Sequence, residues 1–255
     1  MTVLDQFRLD GKVALITGPS RGLGQGMAIA LAQAGADIAG LGISDDTQTG
    51  QEISDLGRRY IHIQLDLISA TVDEITDAVG AVVHALGRVD ILVNNAGIIR
   101  RSPALEFSET EWDDVIQINL KSVFFLCQAV AQHLVAQGGG KIINIASMLS
   151  YQGGVTVPSY TASKHGVMGI TRALANEFAS QHINVNAIAP GYMATDNTTA
   201  LRADSQRNAS IIERIPAGRW GTPDDLHGTV VFLASDASNY LNGATIPVDG
   251  GWLAR

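Results

Sequence analysis

The stretch that decides the fold is VALITGPSRGLGQGMAIALAQAG, residues 13–35. It starts with the apolar run VALITG (13–18), which has the length and composition of a buried β-strand. A glycine-rich turn follows, and then GMAIALAQAG (26–35), which has a helical pattern. Glycines permit a tight turn and let a ligand approach the backbone, while the free N–H groups at a helix N-terminus attract an anion. This order of elements predicts a βα unit that binds a pyrophosphate group.

The same alternation of apolar runs and helical patterns continues along the chain. Further strands are predicted at ADIAGLGI (36–43), IHIQLDL (61–67), VDILVNNAG (89–97), KIINIAS (141–147), INVNAIAP (183–190) and ATIPVDGG (244–251), and further helices at 111–138, 158–180 and 223–235. Continuous apolar strands separated by helices indicate a parallel sheet that is covered on both faces. The predicted fold is therefore α/β, a Rossmann-type doubly wound seven-stranded parallel sheet.

No linker or repeat divides the sequence, so we expect residues 1–255 to form a single domain. The hydrophobic fraction of 46% is enough for a sizeable core. The polar segment 191–222 has no clear strand character and connects the sixth strand to the last helix. We expect this segment to be a substrate lid.

Composition argues against several classes of protein. The formal net charge is -8 and no Lys/Arg-rich run occurs, so we expect no nucleic-acid partner. The single cysteine, Cys127, lies in an apolar run and is typical of a buried structural thiol. Residues 1–12 have no signal-peptide pattern, and no stretch approaches ~18 uninterrupted apolar residues. We therefore expect a cytoplasmic protein with no membrane partner. The histidines show no metal-ligand spacing with each other or with Cys127, so we expect no metal site.

The end of the second predicted strand bears on the choice between NAD and NADP. A carboxylate there accepts hydrogen bonds from a ribose 2′-OH, whereas a basic residue accommodates a 2′-phosphate. Gly42 stands at the usual tip, and Asp45 and Asp46 follow just beyond it, where their charge disfavours a phosphate. Arg21 argues the other way. We expect NAD, with NADP as the alternative, although each aspartate taken singly is typical of a solvated loop.

Two more strand ends carry polar residues that suit such a ligand. Asp66 is placed to hydrogen-bond an adenine amino group or to cap a helix. Asn94, Asn95, Ala96 and Gly97 are small or amide residues, which let a flat ligand approach the backbone. The same run would also serve as an ordinary strand-ending turn.

Tyr160 and Lys164 form the candidate proton-transfer pair. They lie four residues apart at a helix start, so they share one face. A free phenol has a pKa of ~10, and we expect the nearby ammonium to lower it. Ser147 ends the fifth predicted strand, where its hydroxyl would polarise a substrate carbonyl. Asn119 is a polar residue inside the long helix and would connect to Lys164 through water.

Other interpretations of these residues are weaker. A Tyr–Lys pair alone is typical of an exposed helix face, but here it occurs together with Ser147, Asn119 and the glycine motif. A Ser-His-Asp hydrolase would need a G-x-S-x-G elbow, and the run around Ser147 is NIASM. His165 is the one histidine beside the pair, and helix packing is its expected role.

Taken together, these motifs resemble the short-chain dehydrogenase/reductase family over essentially the whole chain. The resemblance rests on the TGxxxGxG turn, Asp66, the NNAG run, Asn119, Ser147, the YxxxK pair and Pro190-Gly191. It implies an NAD(P)-dependent oxidoreductase that acts on CH–OH groups and assembles as a homotetramer through its long helices and C-terminal strand. It implies a catalytic tetrad of Asn119, Ser147, Tyr160 and Lys164. It implies cofactor contacts from Gly18, Ser20, Arg21, Leu23, Asp66, Leu67, Asn95, Tyr160, Lys164, Met193 and Thr195.

A narrower resemblance is to family members that oxidise 3-deoxy sugar acids in pectin and uronate catabolism. It is carried by GIIRRSPALEFSE, VPSYTASKHGVMG, IPAGRWG and the terminal VDGGWLAR. It implies hydride transfer between NAD(H) and the C5 hydroxyl or keto group of 2-dehydro-3-deoxy-D-gluconate.

A sugar-acid substrate needs a cation for its carboxylate. The candidates are Arg100, Arg101, Arg202 and Arg207, each of which taken singly is typical of a solvated surface. We expect Arg101 or Arg202, together with Ser147, to bind the substrate.

Three alternatives remain at this point. A 3-oxoacyl thioester reductase using NADPH would have a basic tip on the second strand and a basic docking surface. A polyol or sugar dehydrogenase would share the same chemistry. A non-catalytic dinucleotide-binding module would have lost part of the tetrad, and all four residues are present.

Overall fold

The computed structural model describes residues 2–255, with only the backbone of Asn197, and Met1 lies outside the described residues. The strands are Val13–Thr17 (β1), Asp37–Gly42 (β2), Tyr60–Gln64 (β3), Ile91–Asn94 (β4), Gly140–Ile145 (β5), Ile183–Pro190 (β6) and Thr245–Val248 (β7). They form one parallel sheet in the order β3-β2-β1-β4-β5-β6-β7. The predicted seven-stranded doubly wound sheet is confirmed.

Helices cover both faces of the sheet. The α-helices are Gly22–Gln33 (α1), Thr47–Asp55 (α2), Val72–Leu86 (α3), Glu109–Ile116 (α4), Ser122–Gln137 (α5), Pro158–Phe178 (α6), Thr199–Ala203 (α7), Ser205–Arg214 (α8) and His227–Ala234 (α9). Short 3₁₀ turns lie at Val3–Phe7, Met148–Ser150, Ala179–Gln181, Asp196–Thr198, Pro223–Leu226, Asp236–Ser238 and Trp252–Ala254. Successive β1 side chains point to opposite faces. Val13 and Leu15 pack in the core with α3, α5 and α6, whereas Ala14 and Ile16 pack with α1 and α9.

The predicted long helix is present but contains one irregular turn. It runs from Glu109 to Gln137, and residues Gln117–Lys121 between α4 and α5 form a π-helical turn. Ser108 and Glu111 form a capping box at its start. By length and composition alone this helix is able to cross a membrane, but half of its apolar window is buried within the domain. It packs there against α3 and β5.

Several predicted boundaries were wrong, each for a local reason. The first helix begins at Gly22, four residues before the predicted start, because the glycine-rich turn itself supplies the first helical turn. β3 ends at Gln64 rather than Leu67, because the Asp66 carboxylate accepts a 3.0 Å hydrogen bond from the Ile68 N–H and bends the chain. β6 has the predicted bounds, and β5 begins one residue earlier than predicted and ends two residues earlier. The other strands are shorter than predicted by one to three residues at one or both ends.

The segment 191–222 is more ordered than its polar composition suggested. It contains α7 and α8, which the sequence did not predict, and the Asp204 carboxylate caps α8 through Gln206 and Arg207 N–H groups. Its second half packs under Trp252 in a small separate hydrophobic cluster.

Candidate functional site

The seven parallel strands all have their carboxyl ends at the same edge of the sheet. The candidate site lies at this edge, around the ends of β1 and β4. The strand order reverses between these two strands, which is where doubly wound folds bind ligands. Gly18 and Gly22 both have positive φ values, 66° and 58°, so a side chain at either position would be strained. At Gly24, a Cβ atom would collide with the Gly18 carbonyl. The glycine-rich turn therefore needs its glycines for its own shape.

Asn95 and Thr17 brace this turn from the neighbouring strand end. The Asn95 side-chain amide donates to the carbonyls of Thr17 (2.9 Å) and Gly18 (3.2 Å). The Thr17 hydroxyl accepts from the N–H groups of Asn95 and Ala96. Asn94 points instead into the core, where its amide donates to Asn144 Oδ1 and contacts Cys127 Sγ. The two asparagines of the NNAG run thus hold the sheet and the turn together.

The two aspartates beyond β2 have different surroundings. Asp45 is exposed, and its carboxylate accepts from the backbone and hydroxyl of Thr47 at the start of α2. Asp46 is 6% exposed and turned inward, and its carboxylate pairs with the Tyr60 hydroxyl and with His62 Nδ1 at 2.6 Å. The expectation of a solvated loop was wrong for Asp46. Because the Asp46 carboxylate is bonded to Tyr60 and His62, Asp45 is the aspartate whose carboxylate is exposed near the end of β2.

At the end of β3, the structure separates Asp66 from Leu67. Asp66 is half-buried, and its carboxylate holds the turn through Ile68. The predicted helix cap is instead Thr71, which forms a capping box with Glu74. The Leu67 side chain is buried in the core, and its carbonyl accepts from the Ser122 hydroxyl. Leu67 therefore has only backbone atoms near this edge.

Tyr160 and Lys164 lie one turn apart on the same face of α6. Lys164 Nζ is 5.6 Å from the centroid of the Tyr160 ring and donates a 2.6 Å hydrogen bond to the Ile145 carbonyl at the end of β5. Val157 precedes α6, and Pro158 occupies its first turn, where a missing N–H costs nothing. The helix start thus places both side chains over the carboxyl end of β5.

Ser147 lies directly after β5, beside Tyr160. It is buried, its hydroxyl accepts from the Leu149 N–H at 3.1 Å, and its backbone N–H donates to the Ser150 hydroxyl. Ser150 in turn donates to the Lys164 carbonyl at 2.7 Å. This short network fixes the Ser147 turn against α6.

Asn119 lies in the π-helical turn, an irregularity that often marks functional sites. It is fully buried. Its side chain exchanges two 2.9 Å hydrogen bonds with the backbone of Ile98 and donates to the Ser163 hydroxyl at 3.3 Å. Ser163, which the sequence reasoning missed inside the YTASK run, donates to the Tyr160 carbonyl at 2.8 Å. Asn119 thus ties the loop after β4 to the helix of Tyr160.

The pKa of the phenol differs from the expectation. Burial raises the pKa of Tyr160, against smaller opposing effects of a Ser147 hydrogen bond and the positive charge of Arg101. Burial also lowers the pKa of Lys164 to about 8. The expectation that the Lys164 ammonium makes this phenol acidic was wrong for this structure, because burial disfavours the charged form of both groups. Tyr160 therefore holds its proton at neutral pH.

Comparison with known proteins identifies this arrangement. A family model described as enoyl-(acyl carrier protein) reductase matches residues 18–253. The chain belongs to the short-chain dehydrogenase/reductase family. It is accordingly an oxidoreductase with an NAD(P)-binding fold, as the sequence predicted.

Individual relatives cover nearly the whole chain. It is 63% identical over 254 residues to 2-dehydro-3-deoxy-D-gluconate 5-dehydrogenase of Escherichia coli (strain K12), which covers 99% of this chain and 100% of the relative. The protein of the same name from Bacillus subtilis (strain 168) is 52% identical over 252 residues, 98% of each chain. The crystal structure of a gluconate 5-dehydrogenase from Burkholderia cenocepacia J2315 in complex with NADP and tartrate is similar with a TM-score of 0.94, at 39% identity over 100% of both chains.

The glycine-rich turn of this short-chain dehydrogenase/reductase fits a dinucleotide. The start of α1 presents free N–H groups that suit a pyrophosphate, and the positive φ values of Gly18 and Gly22 shape the turn that leads into it. Ser20 and Leu23 are half-buried in the same turn. The residues present would therefore hold NAD(P) at this edge.

The first turn of the segment 191–222 lies over this glycine-rich turn. The Thr195 side chain is 3.6 Å from the position a Gly22 Cβ would take, and Arg21 Nε lies 3.6 Å from an Asp196 carboxylate oxygen. Met193 is buried just before it and pairs with Gly221 in an isolated β-bridge. The predicted contact residues Arg21 and Thr195 thus lie at the glycine-rich turn, and Met193 lies two residues before Thr195.

The arginines proposed for a substrate carboxylate have different partners. Arg100 pairs with Asp114 at 3.2 Å. Arg202 is exposed and donates to the Thr195 carbonyl at 3.1 Å, within its own segment. Arg101 is close enough to Tyr160 to lower the pKa of the phenol, and within residues 2–255 no carboxylate lies within ion-pair distance of it. Among these three arginines, Arg101 is thus the one that acts on the phenol and has no carboxylate partner within residues 2–255.

Two further expectations concern Cys127 and His165. Cys127 is buried, and burial raises the pKa of its thiol to about 12, so the predicted structural role is confirmed. The expected packing role of His165 was wrong, because the residue is exposed and its Nδ1 lies 2.9 Å from the Thr161 carbonyl of its own helix.

Proposed function

We propose that this short-chain dehydrogenase/reductase interconverts the C5 hydroxyl and keto forms of 2-dehydro-3-deoxy-D-gluconate in pectin and uronate catabolism. The observation that carries the proposal is the Arg101 guanidinium near the Tyr160 phenol, which has no carboxylate partner among residues 2–255 and suits a substrate that carries a carboxylate. The two relatives of 63% and 52% identity have this activity in their names.

The residues of the tetrad have distinct tasks. When bound, the nicotinamide ring supplies or accepts the hydride. In reduction, Tyr160 donates its proton to the carbonyl oxygen, and the Ser147 hydroxyl stabilises the developing negative charge on that oxygen. In oxidation, the phenolate form of Tyr160 removes the hydroxyl proton. Lys164 lies beneath the phenol and would hydrogen-bond the nicotinamide ribose.

Asn119 holds the loop after β4 in this scheme. Its side chain is engaged by Ile98 and Ser163. A proton path from Lys164 through Asn119 to solvent would need intervening water and stays a prediction.

The preferred cofactor in this proposal is NAD(H), with NADP(H) also accepted. The exposed Asp45 carboxylate disfavours a 2′-phosphate near the β2 tip, and Arg21 faces Asp196. Gly42 offers no carboxylate of its own, and Asp46 is turned inward, so the discrimination is modest. The Burkholderia relative was crystallised with NADP.

Three features of the molecule belong to the same proposal. The segment 191–222 is the substrate lid of a single domain, since it borders both the glycine-rich turn and the Ser147 turn. The chain works in the cytoplasm as a homotetramer. Exposed apolar side chains on the long helix, Trp112 and Val135, support such an assembly. Light scattering of the purified protein would measure its mass, and a monomeric mass would contradict the tetramer.

The proposal is tested by a substrate panel with matched arginine variants. The purified enzyme is assayed with NAD and NADP against 2-dehydro-3-deoxy-D-gluconate, gluconate, a neutral polyol and a 3-oxoacyl thioester, following reduced-nicotinamide absorbance. We expect the highest kcat/KM with the 3-deoxy sugar acid. Preference for the thioester or the polyol, or no turnover, would contradict the proposal.

The arginine variants test the carboxylate contact. Arg101→Met should raise the KM for the sugar acid at least about tenfold, because a hydrogen bond to a charged group contributes ~1.5–3 kcal/mol. Arg202→Met should change it less than about threefold, because that side chain is bonded within the lid. The reverse order of effects would move the carboxylate site to the lid.

A further inference from the structure

The loop that carries Arg101 is tethered on both sides. Before Arg101, the backbone of Ile98 exchanges two 2.9 Å hydrogen bonds with the Asn119 amide. After it, the Ser102 N–H donates a 3.0 Å hydrogen bond to the Thr156 carbonyl. Arg101 thus projects from a fixed stretch of backbone, although its own side chain is exposed.

Thr156 makes its tether from an unusual backbone conformation. Its φ is 62°, and among the described residues His182 is the one other non-glycine residue with a positive φ. A β-branched residue is rarely found in this left-handed region, which glycine enters freely. Such conformations persist where the surrounding structure holds them, and they concentrate at functional sites.

The position of Thr156 explains what the conformation does. The next residue, Val157, is buried and leads directly into α6, which carries Tyr160. The Thr156 hydroxyl donates back to the Val155 carbonyl at 2.6 Å, which holds the turn from its outer side. The Thr156 carbonyl accepts the hydrogen bond from the Ser102 N–H. One residue thus joins the backbone before Tyr160 to the backbone after Arg101.

We infer that Thr156 is a positioning residue that fixes Arg101 relative to Tyr160 and so sets the affinity for a carboxylate-bearing substrate. The inference rests on the proposed function, because it assigns Arg101 to the substrate carboxylate. Thr156 itself touches neither substrate nor cofactor in this scheme and acts through Ser102. Its effect should therefore be in KM for the sugar acid rather than in kcat.

The test is a double-mutant cycle between positions 156 and 101. Thr156→Pro fixes φ near −65°, which is incompatible with the observed turn. With 2-dehydro-3-deoxy-D-gluconate and NAD, we expect this change to raise KM about tenfold in the parent enzyme and less than about twofold in an Arg101→Met background, because coupled residues are not additive. Equal effects in both backgrounds, or no effect in the parent, would overturn the inference.

A second variant covers the case in which the proline variant does not fold. Thr156→Gly permits the same φ without steric conflict but lets the loop move, so we expect an unchanged or higher Tm together with a KM raised about threefold. His182→Gly is the matched control, because it removes the other positive-φ side chain at the opposite edge of the sheet. It should leave KM unchanged. An unchanged KM in Thr156→Gly would overturn the inference.

The two proposals fail separately in this design. If Arg101→Met alone leaves KM unchanged, the carboxylate assignment is wrong, and the role of Thr156 is lost with it. If Arg101→Met raises KM but the position-156 variants do not depend on Arg101, the proposed function stands and the positioning role alone is wrong.

Discussion

At the scale of single residues, proton transfer depends on how two effects balance at Tyr160. Burial raises the pKa of the phenol, whereas Ser147 and the charge of Arg101 lower it. At neutral pH the phenol is protonated, which suits reduction. Oxidation needs the phenolate, so kcat/KM for oxidation should increase as the pH rises through the pKa of Tyr160.

Arg101 should therefore influence the pH profile as well as substrate binding. Arg101→Met removes a positive charge near the phenol, which raises the pKa of Tyr160 and moves the rising limb of oxidation to higher pH. Arg101→Lys keeps the charge and should keep the limb near its original position. The measurement is kcat/KM for sugar-acid oxidation from neutral to alkaline pH. If kcat/KM for oxidation rose over the same pH range in both variants, Arg101 would not act on the phenol.

Asp45 is the residue at which cofactor preference should respond to charge. Asp45→Asn keeps a side-chain oxygen for Thr47 and removes the negative charge. We expect kcat/KM for NADP to rise about threefold relative to NAD, a modest change because Asp45 is exposed and solvent ions screen its charge. The ratio of the two kcat/KM values is the readout. An unchanged ratio would mean that Asp45 does not face the 2′ position.

Residue roles were predictable where they follow from chemistry and spacing. The four-residue spacing of Tyr160 and Lys164 correctly placed them on one helix face. The inward turn of Asp46 was not predictable, because its partners Tyr60 and His62 come from another strand. The same holds for the pKa of Tyr160, because burial depends on packing that spacing does not reveal.

At the scale of elements, the second half of the proposed lid, residues 191–222, depends on an aromatic cluster. The Trp252 ring lies 4.8 Å from the Tyr192 ring, and the Arg214 guanidinium of α8 lies 4.0 Å above it. The Trp252 N–H donates to Gln152 at 3.3 Å, and Met148, which follows Ser147, belongs to the same cluster. The lid and the Ser147 turn are thus packed on one tryptophan.

Trp252→Ala should weaken both the fold and the lid. Loss of a buried tryptophan costs ~3–5 kcal/mol, so we expect a lower Tm. We also expect the KM for the sugar acid to rise about fivefold or more. A fivefold change corresponds to ~1 kcal/mol, so only a minor part of the lost packing energy needs to reach the site. Trp252→Phe keeps an aromatic ring at this position, so its Tm and KM should lie between those of the parent enzyme and those of Trp252→Ala. A lowered Tm with an unchanged KM would limit the cluster to a structural role.

Elements were predictable from sequence where apolar runs are long. All seven strands and the long helix were found, although the helix contains the π-helical turn at Asn119 that no pattern indicated. Helices α2 and α3 were missed as well. The helices α7 and α8 of the proposed lid were missed because their faces are mostly polar and exposed. Their packing on Trp252 is a contact between segments far apart in sequence, which local patterns do not contain.

At the scale of the whole molecule, the topology assembles the site. Parallel strands bring the ends of β1, β4 and β5 to one edge, so the glycine-rich turn, Asn95 and Ser147 become neighbours. The alternation of strands and helices predicted this edge from sequence. The tethers that fix Arg101 beside Tyr160 were not predictable, because they depend on a backbone conformation at Thr156 that its residue type disfavours.

The most direct test of the proposed chemistry is the rate at which Tyr160→Phe converts 2-dehydro-3-deoxy-D-gluconate with NAD, measured beside the parent enzyme. The ring and its packing are retained, and only the proton-bearing hydroxyl is lost. We predict a loss of kcat of at least about 10²-fold, which is the lower range of general acid–base catalysis by a positioned group. Turnover close to that of the parent, in a variant that still binds NADH, would contradict proton transfer by Tyr160.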